Sequence, residues 1–125
     1  MSPAIKGKSN RLLYFSGIVP DPTIDVVTNG LIAAVNSKPD GIIALGGGSA
    51  MDAAKVIRHV YTIAEKETPV QLICVPTTSG TGSEVTAFAV ISDPEAQSKY
   101  ALVDDRMIPD LAILDPLLTV SVPKM

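Results

Sequence analysis

The residues best suited to binding chemistry lie in a glycine-rich segment, Gly46-Gly-Gly-Ser-Ala-Met-Asp52, which follows an apolar run at 41–45. Glycines let the backbone approach a pyrophosphate without an intervening Cβ, and they adopt positive φ where a turn needs it. A helical pattern follows, so backbone N–H groups at the helix start would face an anion. Ser49 can donate to phosphate, and Ser49 and Asp52 also fit an S-x-x-D capping pattern. A tight strand-to-helix turn without any ligand would use the same glycines.

A second candidate segment, Pro76-Thr-Thr-Ser-Gly-Thr-Gly-Ser-Glu-Val-Thr86, follows another apolar run at 70–75. Between Thr77 and Glu84 it places five hydroxyl side chains and two glycines in eight residues. Such a loop suits a polar ligand at the carboxyl ends of parallel strands. A solvated surface loop has a similar composition, so this segment alone does not decide between the two.

The elements that must position these segments alternate in the βαβ manner. Apolar spacing predicts helices at 23–36 and at 49 to about 65, and strands at 41–45, 70–75, 85–92, 100–103 and 111–114. Pro22 and Thr23 start the first helix, and Gly30 weakens that helix without ending it. Parallel strands covered on both faces read as continuous apolar runs, so a buried sheet accounts for much of the 46% hydrophobic content.

Composition excludes several classes of function. A net charge of −3 leaves no basic stripe for nucleic acid. No run approaches the roughly 18 consecutive apolar residues of a membrane span. Residues 1–4 lack the apolar region of a secretory signal, and the single cysteine, Cys74, cannot form an internal disulfide. We therefore expect a cytoplasmic protein without membrane or nucleic-acid partners, in which Cys74 is a small core residue.

Together the two segments resemble the iron-dependent (group III) alcohol dehydrogenase family. Three further segments agree with it: Gly17-Ile-Val-Pro-Asp-Pro-Thr23, Lys99-Tyr-Ala-Leu-Val-Asp104 and Pro109-Asp-Leu-Ala-Ile-Leu-Asp-Pro116. The resemblance implies an α/β fold, a Rossmann-like, mostly parallel sheet with a β-hairpin. We expect an irregular segment at 1–13 and a partial dinucleotide-binding domain at 14–125, without the family's C-terminal all-helical domain.

The resemblance also implies a cofactor, NAD or NADP, with NAD favoured. The glycine segment would bind its pyrophosphate and a neighbouring ribose, the hydroxyl segment its adenine and ribose side, and the residues that follow its nicotinamide half. Lys99 would reach a ribose or phosphate, and Leu118 would lie near the nicotinamide. The implied cofactor-binding residues are Asp21, Gly47, Gly48, Ser49, Ala50, Met51, Asp52, Thr77, Thr78, Thr81, Thr86, Ala87, Phe88, Val90, Lys99 and Leu118. Asp21 stands where many family members have Asn.

In the family, Fe²⁺ or Zn²⁺ polarises the carbonyl of the substrate. Its ligands, an Asp and three His, would come after the last residue of this chain, so we expect neither metal ligands nor catalytic residues here. His59 is interpreted as a helix-surface residue. Asp104, Asp105 and Asp110 are interpreted as loop and turn residues.

Two functional classes stay open. In the first, the chain is the cofactor-binding portion of an oxidoreductase that interconverts short primary alcohols and aldehydes, inactive until the helical domain is supplied. In the second, it is a non-catalytic dinucleotide-binding remnant or a subunit of a split enzyme. An unrelated phosphate-binding α/β protein is a third possibility. In the family a strand and a helix precede the Gly17–Thr23 segment, and only about ten residues stand there in this chain. A sheet without that strand would expose an edge or an apolar face, so we expect homo-oligomers or poor solubility.

Overall fold

The computed structural model of the protein describes residues 15, 22–65, 70–78, 82–115 and 117. Its helices are α1 (Ile24–Ser37) and α2 (Gly48–Ala64), and its strands are β1 (Gly41–Gly46), β2 (Gln71–Pro76), β3 (Phe88–Asp93), β4 (Ser98–Val103) and β5 (Leu111–Ala112). Single 3-10 turns lie at Ser83–Val85 and Asp105–Met107. Neither described helix is long and apolar enough to cross a bilayer. Of the predicted features, Asp21, Thr81, Leu118 and the segment 1–13 lie outside the described residues.

Every predicted helix and strand is present, with its ends moved by a few residues. The largest shift is at β3, which begins at Phe88 and not at 85, because Ser83–Val85 forms a 3-10 turn. The last strand is limited to two residues, Leu111–Ala112.

The strands form a parallel sheet in the order β1-β2-β5 and a separate antiparallel hairpin of β3 and β4. The predicted α/β class, with a parallel sheet and a hairpin, is confirmed. Gly41 pairs with Gln71 at one end of the β1–β2 register and Gly46 with Pro76 at the other. The glycine segment and the hydroxyl segment therefore leave the sheet side by side.

Helix α1 begins as its sequence predicts. The Thr23 hydroxyl accepts a hydrogen bond from the Val26 N–H at 3.2 Å, which caps the first turn. The helix ends at Lys38, whose backbone is left-handed (φ 51°) and whose N–H donates to the Ala34 carbonyl at 2.8 Å.

The core lies on both sides of α2. Toward α1 and β3 it includes Val27, Ile57, Tyr61 and Ile91, and toward the sheet it comprises Ala44, Met51, Ala54, Leu72 and Cys74. Cys74 has no exposed surface, so its predicted place in the core is confirmed.

The parallel sheet differs from the expected two-sided burial. The buried side chains of β1 and β2, such as Ala44 and Leu72, face α2, whereas Ile43 and Leu45 are 45% and 62% exposed. Within the described residues the sheet is therefore covered on one face only. Alternating burial along β2 follows from this one-sided cover.

Gly30 permits the close contact of the two helices. A Cβ built there would collide with Cδ1 of Ile57 and lie 3.0 Å from Cγ1 of the same side chain. Gly30→Ala gains about 1 kcal/mol of helix propensity but overpacks the contact, which costs about 1–3 kcal/mol. We expect a net loss of about 1 kcal/mol in the free energy of unfolding, measured by urea denaturation.

Two controls separate overpacking from helix propensity. In an Ile57→Val background, which lacks Cδ1, Gly30→Ala should become neutral or stabilising. Asn29→Ala, at an exposed position one residue earlier, should not destabilise the protein. Equal losses from Gly30→Ala in both backgrounds would contradict the assignment to Ile57.

Candidate functional site

The two candidate segments meet at the carboxyl ends of β1 and β2. The Thr77 N–H donates to the Gly46 carbonyl at 2.8 Å. A Cβ added at Gly47 would lie 3.2 Å from Oγ1 of Thr78, so the two segments lie close together at this point. Gly46 has a φ of 155°, and a Cβ there would lie 2.9 Å from the Cβ of Ala50. Backbone conformation and close packing thus favour glycine at 46, whereas a Cβ at 47 would need only a small shift of the Thr78 side chain.

Helix α2 starts without a side-chain cap, which corrects the predicted S-x-x-D capping pattern. Its N-cap is Gly47, which has no side chain to accept a hydrogen bond. Ser49 is already inside the first turn, and Asp52 is turned toward β3. The first intrahelical bond is donated by the Met51 N–H to the Gly47 carbonyl at 3.1 Å. The N–H groups of residues 48–50 therefore lack intrahelical acceptors and form the positive end of the helix dipole.

An open cleft of about 210 Å³ lies beside this helix start. It is lined by Gly48, Ser49, Asp52, Ser83, Thr86 and Phe88. All of these except Ser83 are among the predicted cofactor-binding residues. The cleft thus brings together predicted cofactor-binding residues of α2 with Thr86 and Phe88, which lie more than 30 residues later in the chain.

Other predicted site residues lie around the cleft. Ala87 directly precedes β3, Val90 lies two residues after Phe88 within it, and Ala50 lies in the first turn of α2. Met51 has no exposed surface, and its side chain packs in the core under the helix start. For all these residues a direct contact with a cofactor stays a prediction.

Lys99 lies farther away, on β4. It pairs with Ser92, four residues beyond Phe88 on β3, which corresponds to about 13 Å along the strand. It does not line the cleft.

A buried lysine, Lys55, forms the floor beneath the cleft. Its Nζ donates to Oγ of Ser83 at 3.1 Å, to Oγ1 of Thr86 at 3.0 Å and to the carbonyl oxygen of Phe88 at 3.0 Å. The side chain has no exposed surface. Burial lowers the pKa of Lys55 because it penalises the charged form, while the nearby Asp52 carboxylate opposes that shift.

Asp52 connects the lysine network to β3. Its Oδ1 accepts from the Ser83 hydroxyl at 2.6 Å, and its Oδ2 accepts from the Val90 N–H at 3.1 Å. Both carboxylate oxygens therefore have protein donors. Asp52 still lines the cleft, and a carboxylate oxygen can accept a second hydrogen bond.

Ser83 and Lys55 are the site residues that sequence reasoning missed. A lysine in an amphipathic helix is usually exposed, so Lys55 gave no reason to expect burial. The available signal was its spacing: Asp52 and Lys55 are three residues apart and therefore share a face of α2.

A second buried cation, Arg58, lies about one turn after Lys55 on α2. Its guanidinium lies 2.6 Å from Oδ2 of Asp110 and also donates to the carbonyl oxygens of Val70, Arg106 and Ile108. Oδ2 of Asp110 accepts from the Leu72 N–H at 2.8 Å as well. Asp110 is thus more than a turn residue, since it ties β2 to the segment leading into β5.

Asp104 has a local role. Asp104 caps the 3-10 turn Asp105–Met107 by accepting from the Arg106 N–H, which confirms its interpretation as a turn residue. The hydrogen bond from the Arg106 side chain lowers the pKa of Asp104. His59 is partly covered, with Nε2 3.7 Å from Oδ2 of Asp104. Within the described residues, no three His, Cys, Asp or Glu side chains are grouped closely enough to hold a metal ion.

Fold and site together define a Rossmann-like α/β domain with an open helix N-terminus at the carboxyl end of its parallel sheet. The sequence matches the iron-containing alcohol dehydrogenases over residues 1–116, and the chain belongs to that family.

Known relatives agree with this assignment. The 1-propanol dehydrogenase PduQ of Citrobacter freundii is 49% identical over 115 residues, 91% of this chain and 30% of the relative. Aldehyde-alcohol dehydrogenase 2 of Entamoeba histolytica is 43% identical over 144 residues, 96% of this chain and 17% of the relative. Among solved structures, sulfoacetaldehyde reductase from Bifidobacterium kashiwanohense in complex with NAD+ superimposes with a TM-score of 0.79 at 33% identity, covering 87% of this chain and 32% of that one. The chain therefore spans about a third or less of each of these proteins.

Asp52→Asn tests the network beneath the cleft. An amide has one acceptor oxygen where the carboxylate has two, so one of the two donors facing Asp52 loses its acceptor. We expect the free energy of unfolding to fall by about 1–3 kcal/mol, measured by urea denaturation. The pKa of Lys55 should fall further, because its main opposing charge is removed; NMR titration of the lysine side chain would measure this.

The matched control is Asp93→Asn. Asp93 accepts two hydrogen bonds in an exposed turn, from the N–H groups of Glu95 and Ala96, and both reach Oδ1, which the amide oxygen of Asn can replace. Its replacement should change stability by no more than about 0.5 kcal/mol. A loss for Asp52→Asn as small as that of the control would contradict the buried network.

Cys74 should make stability depend on alkaline pH. Burial raises the pKa of its thiol to about 11, above the 9.0 of an exposed thiol. The folded protein keeps the proton that the unfolded chain loses, so this contribution is complete below pH 9 and is lost as pH rises toward 11. Between these values stability should fall more steeply in the wild type than in Cys74→Ala, by on the order of 1–3 kcal/mol.

The difference between the pH dependence of the unfolding free energy in the wild type and in Cys74→Ala isolates the contribution of the thiol. Tyr61, whose pKa burial also raises, and Lys55, whose lowered pKa acts in the opposite direction, are present in both proteins. The cavity left by Cys74→Ala lowers stability equally at every pH. Parallel curves of unfolding free energy against pH would show that the thiol does not contribute.

Proposed function

We propose that this chain binds the pyrophosphate of a nicotinamide dinucleotide at the start of α2. The observation that carries the proposal is the uncapped helix N-terminus at Gly47, which opens onto a cleft lined by hydroxyl groups and the Asp52 carboxylate. Free N–H groups and the helix dipole favour a bound anion by about 0.3–1 kcal/mol per charge at an exposed site. Hydroxyl side chains such as Ser49 add donors for phosphate oxygens.

NAD is the dinucleotide that we favour over NADP. The sulfoacetaldehyde reductase structure that resembles this chain contains NAD+. The predicted residues then divide between the two halves of the cofactor: Thr77 and Thr78 toward the adenosine side, and Thr86 and Phe88 toward the nicotinamide.

For the whole protein we propose hydride transfer between a short primary alcohol and the dinucleotide, giving the aldehyde. Support comes from the relatives, which are named 1-propanol dehydrogenase and aldehyde-alcohol dehydrogenase. The family's iron would supply Lewis acidity at the substrate oxygen. The described residues offer no grouped set of metal donors, so they do not fit a metal site. We assign to this part of the protein the binding and orientation of the dinucleotide.

Association with further protein surface is part of the proposal. The uncovered face of the parallel sheet exposes large apolar side chains, including Ile43, Leu45 and Leu111. Exposed apolar patches of this kind favour association. We propose that the protein is a homo-oligomer and acts in the cytoplasm, where its one cysteine stays a free thiol.

Titration of the full chain with NADH and NADPH, followed by nucleotide fluorescence, tests the proposed binding. Gly47→Ala places a methyl group 3.2 Å from Oγ1 of Thr78 and so narrows the gap between the two loops. We expect it to weaken NADH binding at least about tenfold, equivalent to about 1.4 kcal/mol, while the circular dichroism spectrum is unchanged.

The matched control is Gly41→Ala, at the opposite end of β1. A Cβ there would meet only the Gln71 carbonyl oxygen, at an ordinary contact distance of 3.5 Å. This variant should bind NADH like the wild type. A folded wild type that binds neither dinucleotide would overturn the proposed function, and equal affinities for Gly47→Ala and wild type would move the site away from the glycine loop.

A further inference from the structure

Lys55 carries a charge directly below the proposed dinucleotide cleft, yet it has no donor left for a ligand. An ammonium group has three N–H bonds. The three acceptors of Lys55, namely Ser83 Oγ, Thr86 Oγ1 and the Phe88 carbonyl oxygen, lie at 3.0–3.1 Å and use all of them. Any effect of Lys55 on a ligand must therefore pass through the groups that it holds.

Ser83 is held in one hydrogen-bonding direction. Its oxygen accepts from Lys55, and its hydroxyl hydrogen is donated to Oδ1 of Asp52 at 2.6 Å. The charges of Lys55 and Asp52 are thus linked through one hydroxyl group. Because its hydroxyl hydrogen is donated to Asp52, Ser83 cannot donate that hydrogen to a ligand in the cleft.

Thr86 differs from Ser83 in one respect that matters. Its oxygen also accepts from Lys55, but no residue in the described part of the chain accepts its hydroxyl hydrogen. Repulsion from the ammonium hydrogens turns that hydrogen away from Nζ. Thr86 lines the cleft and is only partly buried, so an acceptor bound in the cleft is a candidate for this hydrogen.

We propose that Lys55 is a positioning residue that makes Thr86 a hydrogen-bond donor to an oxygen acceptor of the bound dinucleotide. The acceptor is a pyrophosphate oxygen or the carbonyl oxygen of the nicotinamide carboxamide. This inference rests on the proposed function, since it assigns a role within the same cleft. It gives Lys55 a purpose that its burial alone does not explain, because an apolar side chain would fill the same space without the cost of burying a charge.

A double-mutant cycle separates this role from a merely structural one. Thr86→Val removes the hydroxyl group at nearly constant shape and should weaken NADH binding about tenfold, which corresponds to about 1.4 kcal/mol. Lys55→Met removes the charge and should weaken binding by at least as much. If Lys55 acts through Thr86, the double variant binds no more weakly than Lys55→Met alone. If the double variant instead weakens NADH binding by the product of the two single-variant factors, the inference is overturned while the proposed function stays intact.

Thr86→Ser is the conservative control, and it keeps the proposal testable if Lys55→Met does not fold. It retains the hydroxyl group and should bind NADH within about threefold of wild type. In ¹⁵N-resolved spectra, the Lys55 ammonium signal should move on NADH binding in the wild type and in Thr86→Ser, but not in Thr86→Val. If Thr86→Ser and Thr86→Val weaken NADH binding equally, the proposed role of Lys55 is refuted. An ammonium signal that does not respond to NADH in the wild type would refute it as well.

ADP-ribose, which keeps the pyrophosphate and lacks the nicotinamide, distinguishes the two acceptors. A pyrophosphate acceptor requires that Thr86→Val weaken ADP-ribose and NADH alike, whereas a carboxamide acceptor requires that only NADH be affected. Either pattern supports the inference. Failure of the folded wild type to bind NADH would overturn the proposed function and this inference with it.

Discussion

The rest of the site depends on one buried charge, the ammonium group of Lys55. Removing a cation from water costs several kcal/mol even after the protein relaxes, so the charge must keep its compensating partners. Those partners are the residues that form the cleft wall: Ser83, Thr86 and the Phe88 carbonyl. If the segment 83–88 moved away from α2, the lysine would lose its acceptors. The position of this segment is therefore fixed by the charge beneath it.

Helix α2 acts as the common support of both halves of the described structure. Through Lys55 it holds the start of the hairpin, and one turn later through Arg58 it holds β2 and the segment before β5. Its first turn has no side-chain cap, so the helix is anchored by buried cations along its length while its N-terminus stays open. Within the described residues, this arrangement leaves the N–H groups at the start of α2 without an intrahelical acceptor, as the proposed binding requires.

Local sequence patterns predicted the elements well, because periodicity and caps act over a few residues. The Thr23 cap, the strand preceding the glycines and the hairpin all follow from neighbouring residues. The adjacency of the two loops was also predictable, since parallel neighbours end at the same edge.

The interactions of Asp52 and Lys55 were beyond such reasoning. Their partners, Ser83 and Thr86, lie 28 to 31 residues later, and local patterns do not encode pairings over that distance. The S-x-x-D pattern misled because the same carboxylate that could have capped α2 is engaged by Ser83 and Val90. The exposure of one sheet face was not predicted, because Ile and Leu in a strand are expected to be buried whether or not another element covers them.

Amide chemical shifts of the full chain during NADH titration test the central claim most directly. Binding at the open helix start predicts that the largest shift changes fall on the N–H groups of Gly48, Ser49 and Ala50, with a second group of changes at Thr86. Saturable changes centred on any other part of the chain, or none at these four amides while NADH binds, would contradict the account.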